Sequence, residues 1–263
     1  MNLLIISYLL VFSTLVNSYS FPNFKNFFGF KSNNSLITLS PAGLQGFYTL
    51  GISSFIKENY DLEPFVFSGA SAGSWNALYM TYKGESGDIP NKIKNITKTT
   101  SINKLEKNIK KIFLELYDDE DFDLKKLYIG VTTFEKFRFK TRIYNDFDNL
   151  EDAIDCCIAS SHIPLITGGL ILKYRNKISF DGGFRKYPYL AVEEPTIHVN
   201  PDMWKKKNGY VIEKDEKFNL VSFFSNVLFF QKLDYQMLYD MGYNDAKKNQ
   251  DILDKFLKRL EQA

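Results

Sequence analysis

The sequence predicts an α/β domain in three layers, α/β/α, with a central and mainly parallel sheet. Short apolar runs typical of buried strands alternate with longer stretches of helical periodicity, and the connections between them are short. The length of 263 residues suits one such domain. Hydrophobic residues account for 44% of the chain and charged residues for 24%, a composition that excludes a disordered chain.

The order of the first four predicted elements indicates a parallel sheet. Apolar runs at Leu36–Ser40 and Pro64–Ser68 predict buried strands. Helices are predicted at Leu44–Asn59, where apolar side chains recur on one face, and at Ala72–Tyr82. Strand, helix, strand and helix joined by short links indicate a parallel sheet with crossover helices.

The remainder of the chain extends this domain. The predicted elements are Lys-rich helical structure at Asn91–Tyr117, hairpin strands at Leu127–Thr133 and Phe137–Tyr144, a helix at Leu150–Ser160, strands at Leu170–Lys173, Lys177–Phe180 and Thr196–Val199, and mostly helical structure over Phe218–Leu260 with a break near Gly242. No repeat or linker divides these elements, so we expect one domain over residues 36–260.

The N-terminus has the pattern of a targeting segment. Residues 1–24 contain no charged side chain, and Leu3–Phe12 is an almost unbroken apolar run. That length is typical of a secretory signal and short for a membrane span. We therefore expect a signal peptide at residues 1–20 and a secreted or lumenal protein; the alternative is an uncleaved membrane anchor. Glycosylation sequons at Asn33 and Asn95 agree with secretory entry.

Charge and rare residues exclude several classes of function. The 33 basic and 31 acidic side chains leave a net charge of +2, so no nucleic-acid partner is expected. The chain has two histidines, His162 and His198, and two adjacent cysteines, Cys156 and Cys157. These counts exclude a disulfide scaffold and a four-ligand Cys/His zinc site. No metal or organic cofactor is expected.

One motif indicates the chemistry. Gly69–Gly73 reads GASAG and matches G-x-S-x-G, between a predicted strand and a predicted helix. A sharp turn at this place forces Ser71 into a strained backbone conformation and lifts its hydroxyl clear of the sheet, so small neighbours are needed. Ser71 is therefore the candidate nucleophile.

A serine nucleophile needs a base and an oxyanion hole. Asp181 closes the strand Lys177–Phe180 and is followed by Gly182 and Gly183, which let the chain turn at once. It is the candidate base. The loop Pro41–Gly46 joins the first strand to the first helix, where free N–H groups bind an anion well.

Three such elements in this order resemble the patatin-like phospholipase family. That family places a glycine-rich oxyanion loop first, a G-x-S-x-G serine one strand later and an Asp-Gly-Gly or Asp-Gly-Ala motif far downstream; the matching segments here are Pro41–Gly46, Gly69–Gly73 and Asp181–Gly183. Ala159–Pro164 and Gly242-Tyr243 extend the resemblance, which covers about residues 36–246.

The oxyanion loop departs from the family pattern of G-x-G-x-x-G with a basic residue before the last glycine. Pro41 replaces the first glycine and Gln45 the basic residue, whereas Gly43 and Gly46 remain. Proline has no N–H to donate. The donors are therefore expected from three residues: Ala42, Gly43 and Leu44.

The resemblance implies a lipid acyl hydrolase, of the phospholipase A or acylglycerol lipase type, that cleaves carboxylic esters with a dyad of Ser71 and Asp181. Two alternatives stay open. One is an α/β-hydrolase triad of Ser71, Asp181 and His198, although only one strand is predicted before the strand that leads to Ser71. The other is a catalytically weak protein of the same fold that binds or stores lipid, as the altered oxyanion loop suggests.

The implied partner is a lipid substrate, a phospholipid or an acylglycerol, and peripheral contact with a membrane or lipid droplet is a further expectation. The aromatic stretch Val221–Phe230 and the lysines at 205–207 beside Trp204 are the two candidate contact regions. A buried helix and a solvated loop are the alternative interpretations of these regions. His162, at a predicted helix end, is expected at the surface or as a cap.

Overall fold

The structure is a computed structural model that describes residues 35–97, 102–184, 196–204 and 234–260. The predicted signal peptide at residues 1–20, the sequon at Asn33 and both predicted membrane-contact regions beyond Trp204 lie outside these residues. Asn95 of the second sequon is exposed.

Seven strands and seven α-helices make up the described part of the chain. The strands are β1 (Ser35–Leu39), β2 (Phe65–Ala70), β3 (Leu127–Glu135), β4 (Arg138–Tyr144), β5 (Leu172–Tyr174), β6 (Lys177–Phe180) and β7 (Ile197–Val199). The helices are α1 (Gly46–Asn59), α2 (Ala72–Thr81), α3 (Asp88–Thr97), α4 (Ile102–Leu116), α5 (Leu150–Ser160), α6 (Tyr235–Lys248) and α7 (Gln250–Leu253). A short 3₁₀ turn, Gly43–Gln45, precedes α1.

The predicted α/β fold class is confirmed. The described strands form one mixed sheet in the order β5-β6-β3-β2-β1-β7, with β4 on the other edge of β3, and helices flank the sheet. β7, β1, β2 and β3 are parallel, β4 and β6 run against β3, and β5 runs against β6. Five of these seven strands therefore point in one direction. All six residues of β2 are buried, as expected for a central parallel strand covered on both faces.

The pairing of β3 determines where the candidate site lies. At Ile129 and Gly130, β3 pairs with β2 on one edge and β4 on the other, whereas at Thr132–Phe134 it pairs with β4 and β6. β2 and β6 therefore share one edge of β3 and run toward each other. The residue that follows β2 and the residue that follows β6 meet at this gap.

Two local predictions differ from the structure. The single helical stretch predicted at Asn91–Tyr117 is two helices, α3 and α4, and the first of them begins at Asp88. The β3–β4 hairpin turns at Lys136 and Phe137, both with positive φ, whereas Phe137 was predicted as the first residue of the second strand.

The break predicted near Gly242 is wrong, because α6 continues through this residue to Lys248. Glycine is needed here for close packing of two helices. A Cβ on Gly242 would overlap the carbonyl oxygen of Tyr48 in α1, and a Cβ on Gly51 would overlap that of Tyr239 in α6. The two glycines therefore allow the backbones of α1 and α6 to touch.

Other features of the described residues have structural explanations. Cys156 and Cys157 are buried free thiols. In the acidic stretch before β3, two aspartate side chains cap a 3₁₀ turn. The Asp121 carboxylate accepts the backbone N–H of Asp118, and the Asp118 carboxylate accepts the backbone N–H of Glu120.

Among the helices described here, none combines the length and apolar character needed to cross a membrane.

Candidate active site

Ser71 lies at a strained turn between β2 and α2. Its backbone has φ 54° and ψ −130°, a combination that costs a non-glycine residue about 1–3 kcal/mol. The flanking glycines permit the turn, because a Cβ on Gly69 would overlap the carbonyl of Gly73 and one on Gly73 would overlap that of Leu39. The tight turn predicted from the motif is therefore present.

Asp181 follows β6 and meets Ser71 across the gap on the edge of β3. The Ser71 hydroxyl donates to Asp181 Oδ2 at 2.6 Å. Asp181 Oδ1 accepts the backbone N–H of Gly183 at 2.6 Å. A Cβ on Gly182 would overlap the carbonyl oxygen of Gly130 and lie 2.7 Å from Ala70 Cβ, so a glycine here lets the end of β6 approach β2 and β3.

The surroundings of Asp181 suit a base at neutral pH. The residue has no exposed surface. Burial raises the pKa of its carboxyl to about 7, although the hydrogen bonds from Ser71 and Gly183 oppose the rise. A carboxylate with a pKa near the working pH can accept a proton from a hydroxyl and return it afterwards.

Ser160, which was not among the predicted site residues, holds the turn. The backbone N–H of Ser71 donates to Ser160 Oγ at 2.8 Å, and that hydroxyl donates to the Gly130 carbonyl at 2.7 Å. Ser160 therefore links the turn, α5 and β3. The segment Ala159–Pro164 already pointed to this place, but periodicity alone does not show which hydroxyl turns inward.

The predicted oxyanion loop lies beside Ser71. Gly43 and Leu44 line the same cavity as Ser71, whereas Ala42 does not line it. In the described part of the chain, no backbone carbonyl accepts from the N–H groups of Ala42, Gly43 or Leu44. These donors are therefore available to a ligand. Gly43 has φ 53°, a conformation that glycine adopts without strain.

The departures at Pro41 and Gln45 leave the place of the loop unchanged. Gln45 is exposed, so its side chain points to solvent. A Cβ on Gly183 would lie 2.9 Å from Pro41 Cβ, which shows that Pro41 packs over the Asp181–Gly183 turn. Gly46 packs against the nucleophile helix, because a Cβ on it would lie 2.6 Å from that of Ala72.

Ser71 and Asp181 line an apolar cleft that is partly open to solvent. Helices α1, α3 and α4 supply most of its apolar wall. The apolar side chains include those of Phe47, Leu50, Ile93, Leu105, Ile109 and Phe113. Such a cleft suits a long hydrocarbon chain with its reactive end at Ser71.

His198 is placed away from the dyad. It lies in the edge strand β7, and β1 separates it from β2. Its Nδ1 is 2.7 Å from Thr38 Oγ1, and burial lowers its pKa to about 4. The hydrogen bonds described for the Asp181 carboxylate come from Ser71 and Gly183.

The surface position expected for His162 is wrong. The residue is 1% exposed, and its backbone carbonyl accepts the N–H of Asp181 at 2.8 Å. The residues directly after α5 thus pack against the residue that follows β6. His162 therefore supports the backbone of Asp181.

No metal site is visible in the parts of the chain described here: none of their His, Cys, Asp and Glu side chains form a group of three or more that could hold an ion.

Comparison with known proteins indicates the family of the chain. A family model described as patatin-like phospholipase matches residues 37–192, more than half of the 263 residues. The match includes the loop at Gly43, the turn at Ser71 and the aspartate at 181. A search of curated proteins finds no significant match. The chain therefore belongs to the patatin-like phospholipase family, a family of lipid acyl hydrolases.

Proposed function

We propose that the protein releases fatty acids from lipids by cleaving carboxylic ester bonds through an acyl-enzyme at Ser71, with Asp181 as the general base. The observation that carries this proposal is the 2.6 Å hydrogen bond from the Ser71 hydroxyl to Asp181 at the end of an apolar cleft. No third side chain is needed to complete this proton path.

The reaction proceeds in two halves. Asp181 takes the hydroxyl proton as Ser71 Oγ attacks the ester carbonyl, and the N–H groups of Gly43 and Leu44, which line the cleft, hold the oxyanion. Asp181 then gives the proton to the departing alcohol. In the second half Asp181 takes a proton from water, the resulting hydroxide attacks the acyl carbonyl, and the fatty acid leaves as Ser71 regains its proton.

Hydrolysis of a lipid panel tests this function. Purified protein is incubated with phospholipids, acylglycerols and simple esters of one acyl chain, and the released fatty acid is measured. We expect release from at least one lipid class by the wild type and none by Ser71→Ala. Equal release by both proteins would contradict the role of Ser71.

The pH dependence of the reaction follows from the raised pKa of Asp181. A base acts when it is ionised, so we expect kcat/KM on a soluble ester to rise about tenfold per pH unit below pH 7 and to level off above it. A pH profile from 5 to 8 measures this. An unchanged rate from pH 5 to pH 8 would contradict Asp181 as the base.

His198→Ala separates the dyad from a triad. We expect kcat/KM to stay within about threefold of the wild type and the rise near pH 7 to persist, because His198 bonds Thr38 and its own pKa is about 4. Steady-state kinetics over the same pH range measure both quantities. A loss of about a thousandfold, as for a catalytic triad member, would favour the alternative.

We also propose that the loop after α5 touches the lipid surface. Leu165, Leu170 and Ile171 are 49%, 50% and 60% exposed, whereas Ile163 and Thr167 of the same loop line the cleft. One side of the loop thus meets solvent and the other meets the site. A lipid surface would bury the exposed side chains and bring the acyl chain to the cleft.

Replacing Leu170 and Ile171 by serine tests the loop. Burying a large aliphatic side chain contributes about 1.5–3 kcal/mol, and each of these two is about half exposed. The double variant should therefore bind vesicles about ten- to a hundredfold more weakly. Sedimentation with neutral phosphatidylcholine vesicles measures this. Leu116→Ser is the control, because Leu116 is also 50% exposed but lies at the end of α4, outside the loop after α5. An equal loss in the control would refute the proposal.

A further inference from the structure

Glu106 is an unexplained acid in the wall of the cleft. In the lining that the structure describes, the charged residues are Glu106 and Asp181, and there is no Lys, Arg or His. The neighbours of Glu106 on the same face of α4 are apolar: Leu105, Ile109 and Phe113. An apolar residue at 106 would complete an acyl-chain wall more simply than a carboxyl does.

The sequence pattern would place Glu106 in a surface ion pair, but the structure does not. Lys110 stands four residues later, a spacing that favours a helical salt bridge. Its Nζ instead lies 2.8 Å from Glu151 and 2.7 Å from Asp155, both in α5. Among the described residues no salt bridge reaches Glu106, so its carboxyl faces the cleft without a cation.

The environment favours the protonated acid. Burial raises the pKa of Glu106 to about 8, the nearby Ser161 hydroxyl opposes the rise, and the Asp181 carboxylate adds to it. A protonated carboxyl both donates and accepts hydrogen bonds. An anionic phosphate group would find two carboxyl groups here and, among the described lining residues, no Lys, Arg or His to pair with.

The position of Ser161 places Glu106 near the reacting groups. Trp75 Nε1 donates to Ser161 Oγ at 3.0 Å, and Ser161 Oγ donates to the Cys157 carbonyl at 2.8 Å. The preceding residue, Ser160, accepts the backbone N–H of Ser71 at 2.8 Å, and both Ser161 and Glu106 line the same cleft as Ser71. A substrate group that meets Glu106 beside Ser161 therefore lies near the scissile ester.

We propose that Glu106 determines specificity by hydrogen-bonding an uncharged hydroxyl group of the substrate that lies a few bonds from the ester carbonyl. The inference rests on the proposed hydrolase function. Such a hydroxyl belongs either to the alcohol part, as in a monoacylglycerol, or to the acyl part, as in a 3-hydroxyacyl ester. Both present the same chemistry to a carboxyl in an apolar wall.

Two matched pairs of decanoyl substrates distinguish these sources. Monodecanoylglycerol is compared with propyl decanoate, and methyl 3-hydroxydecanoate with methyl decanoate. We expect the wild type to favour the hydroxyl-bearing member of one pair about tenfold in kcat/KM, the range of one hydrogen bond. In Glu106→Leu this ratio falls to about one, and in Glu106→Gln, whose amide still donates and accepts, it falls only in part.

Glu115→Gln is the control. Glu115 is an exposed residue of α4 beside Lys111, so this variant should keep the wild-type ratio. A ratio of one for both pairs in the wild type, or a ratio unchanged by Glu106→Leu, would overturn the inference. Failure of the wild type on all four esters, with release from a phospholipid of the lipid panel, would overturn the inference alone, whereas no release from any lipid of that panel would overturn the proposed function. The melting temperature of each variant shows whether it is folded. A ratio that is partly kept in Glu106→Gln shows that the loss in Glu106→Leu is a loss of hydrogen bonding and not of folding.

Discussion

Asp181→Asn should lower kcat/KM by roughly 10³-fold or more, the range seen when a general base is removed. The amide is nearly isosteric with the carboxyl, so the backbone N–H of Gly183 keeps an acceptor. An amide oxygen is a far weaker base than a carboxylate, and an amide nitrogen facing Ser71 has no lone pair to accept the hydroxyl proton. Steady-state kinetics on a soluble ester measure the loss.

A control variant and a stability measurement show whether this loss is specific to the base. Asp240→Asn, on the exposed face of α6, should leave kcat/KM unchanged, since its carboxyl bonds only Gln236 among the described contacts. The melting temperature of Asp181→Asn should not fall, because removing a buried ionisable group does not unpair a cation. Retention of a tenth or more of wild-type activity would mean that another group takes the proton.

Gly242→Ala should destabilise the fold by about 2–4 kcal/mol, even though alanine is the better helix former by about 1 kcal/mol. The new methyl group would overlap the carbonyl oxygen of Tyr48, a backbone atom that cannot rotate away. α1 and α6 would have to separate. For a chain of this size such a loss lowers the melting temperature by about 10 °C. Differential scanning calorimetry or urea unfolding measures it.

Gly169→Ala is the matched control for this substitution. A Cβ on Gly169 would meet no atom within 4 Å, and the residue does not have a positive φ. The change should therefore alter stability by less than about 0.5 kcal/mol. A Gly242→Ala protein as stable as the wild type would show that the two helices do not pack as closely as the structure has them.

The sequence predicted the parts of the fold that local pattern determines. Predicted and observed bounds of α5 agree, and the first two strands and helices agree to within two residues at each end. The tight turn at Ser71 was predictable because a strand, a short run of small residues and a helix follow one another along the chain.

Contacts between distant segments were not predictable in the same way. The antiparallel approach of β6 to β3, which brings Asp181 to Ser71, depends on pairing between strands more than 40 residues apart. Gly242 suggested a break because glycine disfavours helices, whereas the close approach of α1 decides its role. Glu106 and Lys110 have the spacing of an ion pair, and only the position of α5 shows that Lys110 bonds elsewhere.

Covalent labelling of Ser71 tests the central claim most directly. The wild-type protein is treated with a fluorophosphonate, which reacts with activated serines, and the modified peptide is located by mass spectrometry. The dyad predicts one adduct on Ser71, undiminished in His198→Ala, slowed by orders of magnitude in Asp181→Asn and absent in Ser71→Ala. A wild-type protein that stays unlabelled would contradict an activated serine and favour a protein that binds lipid without turnover.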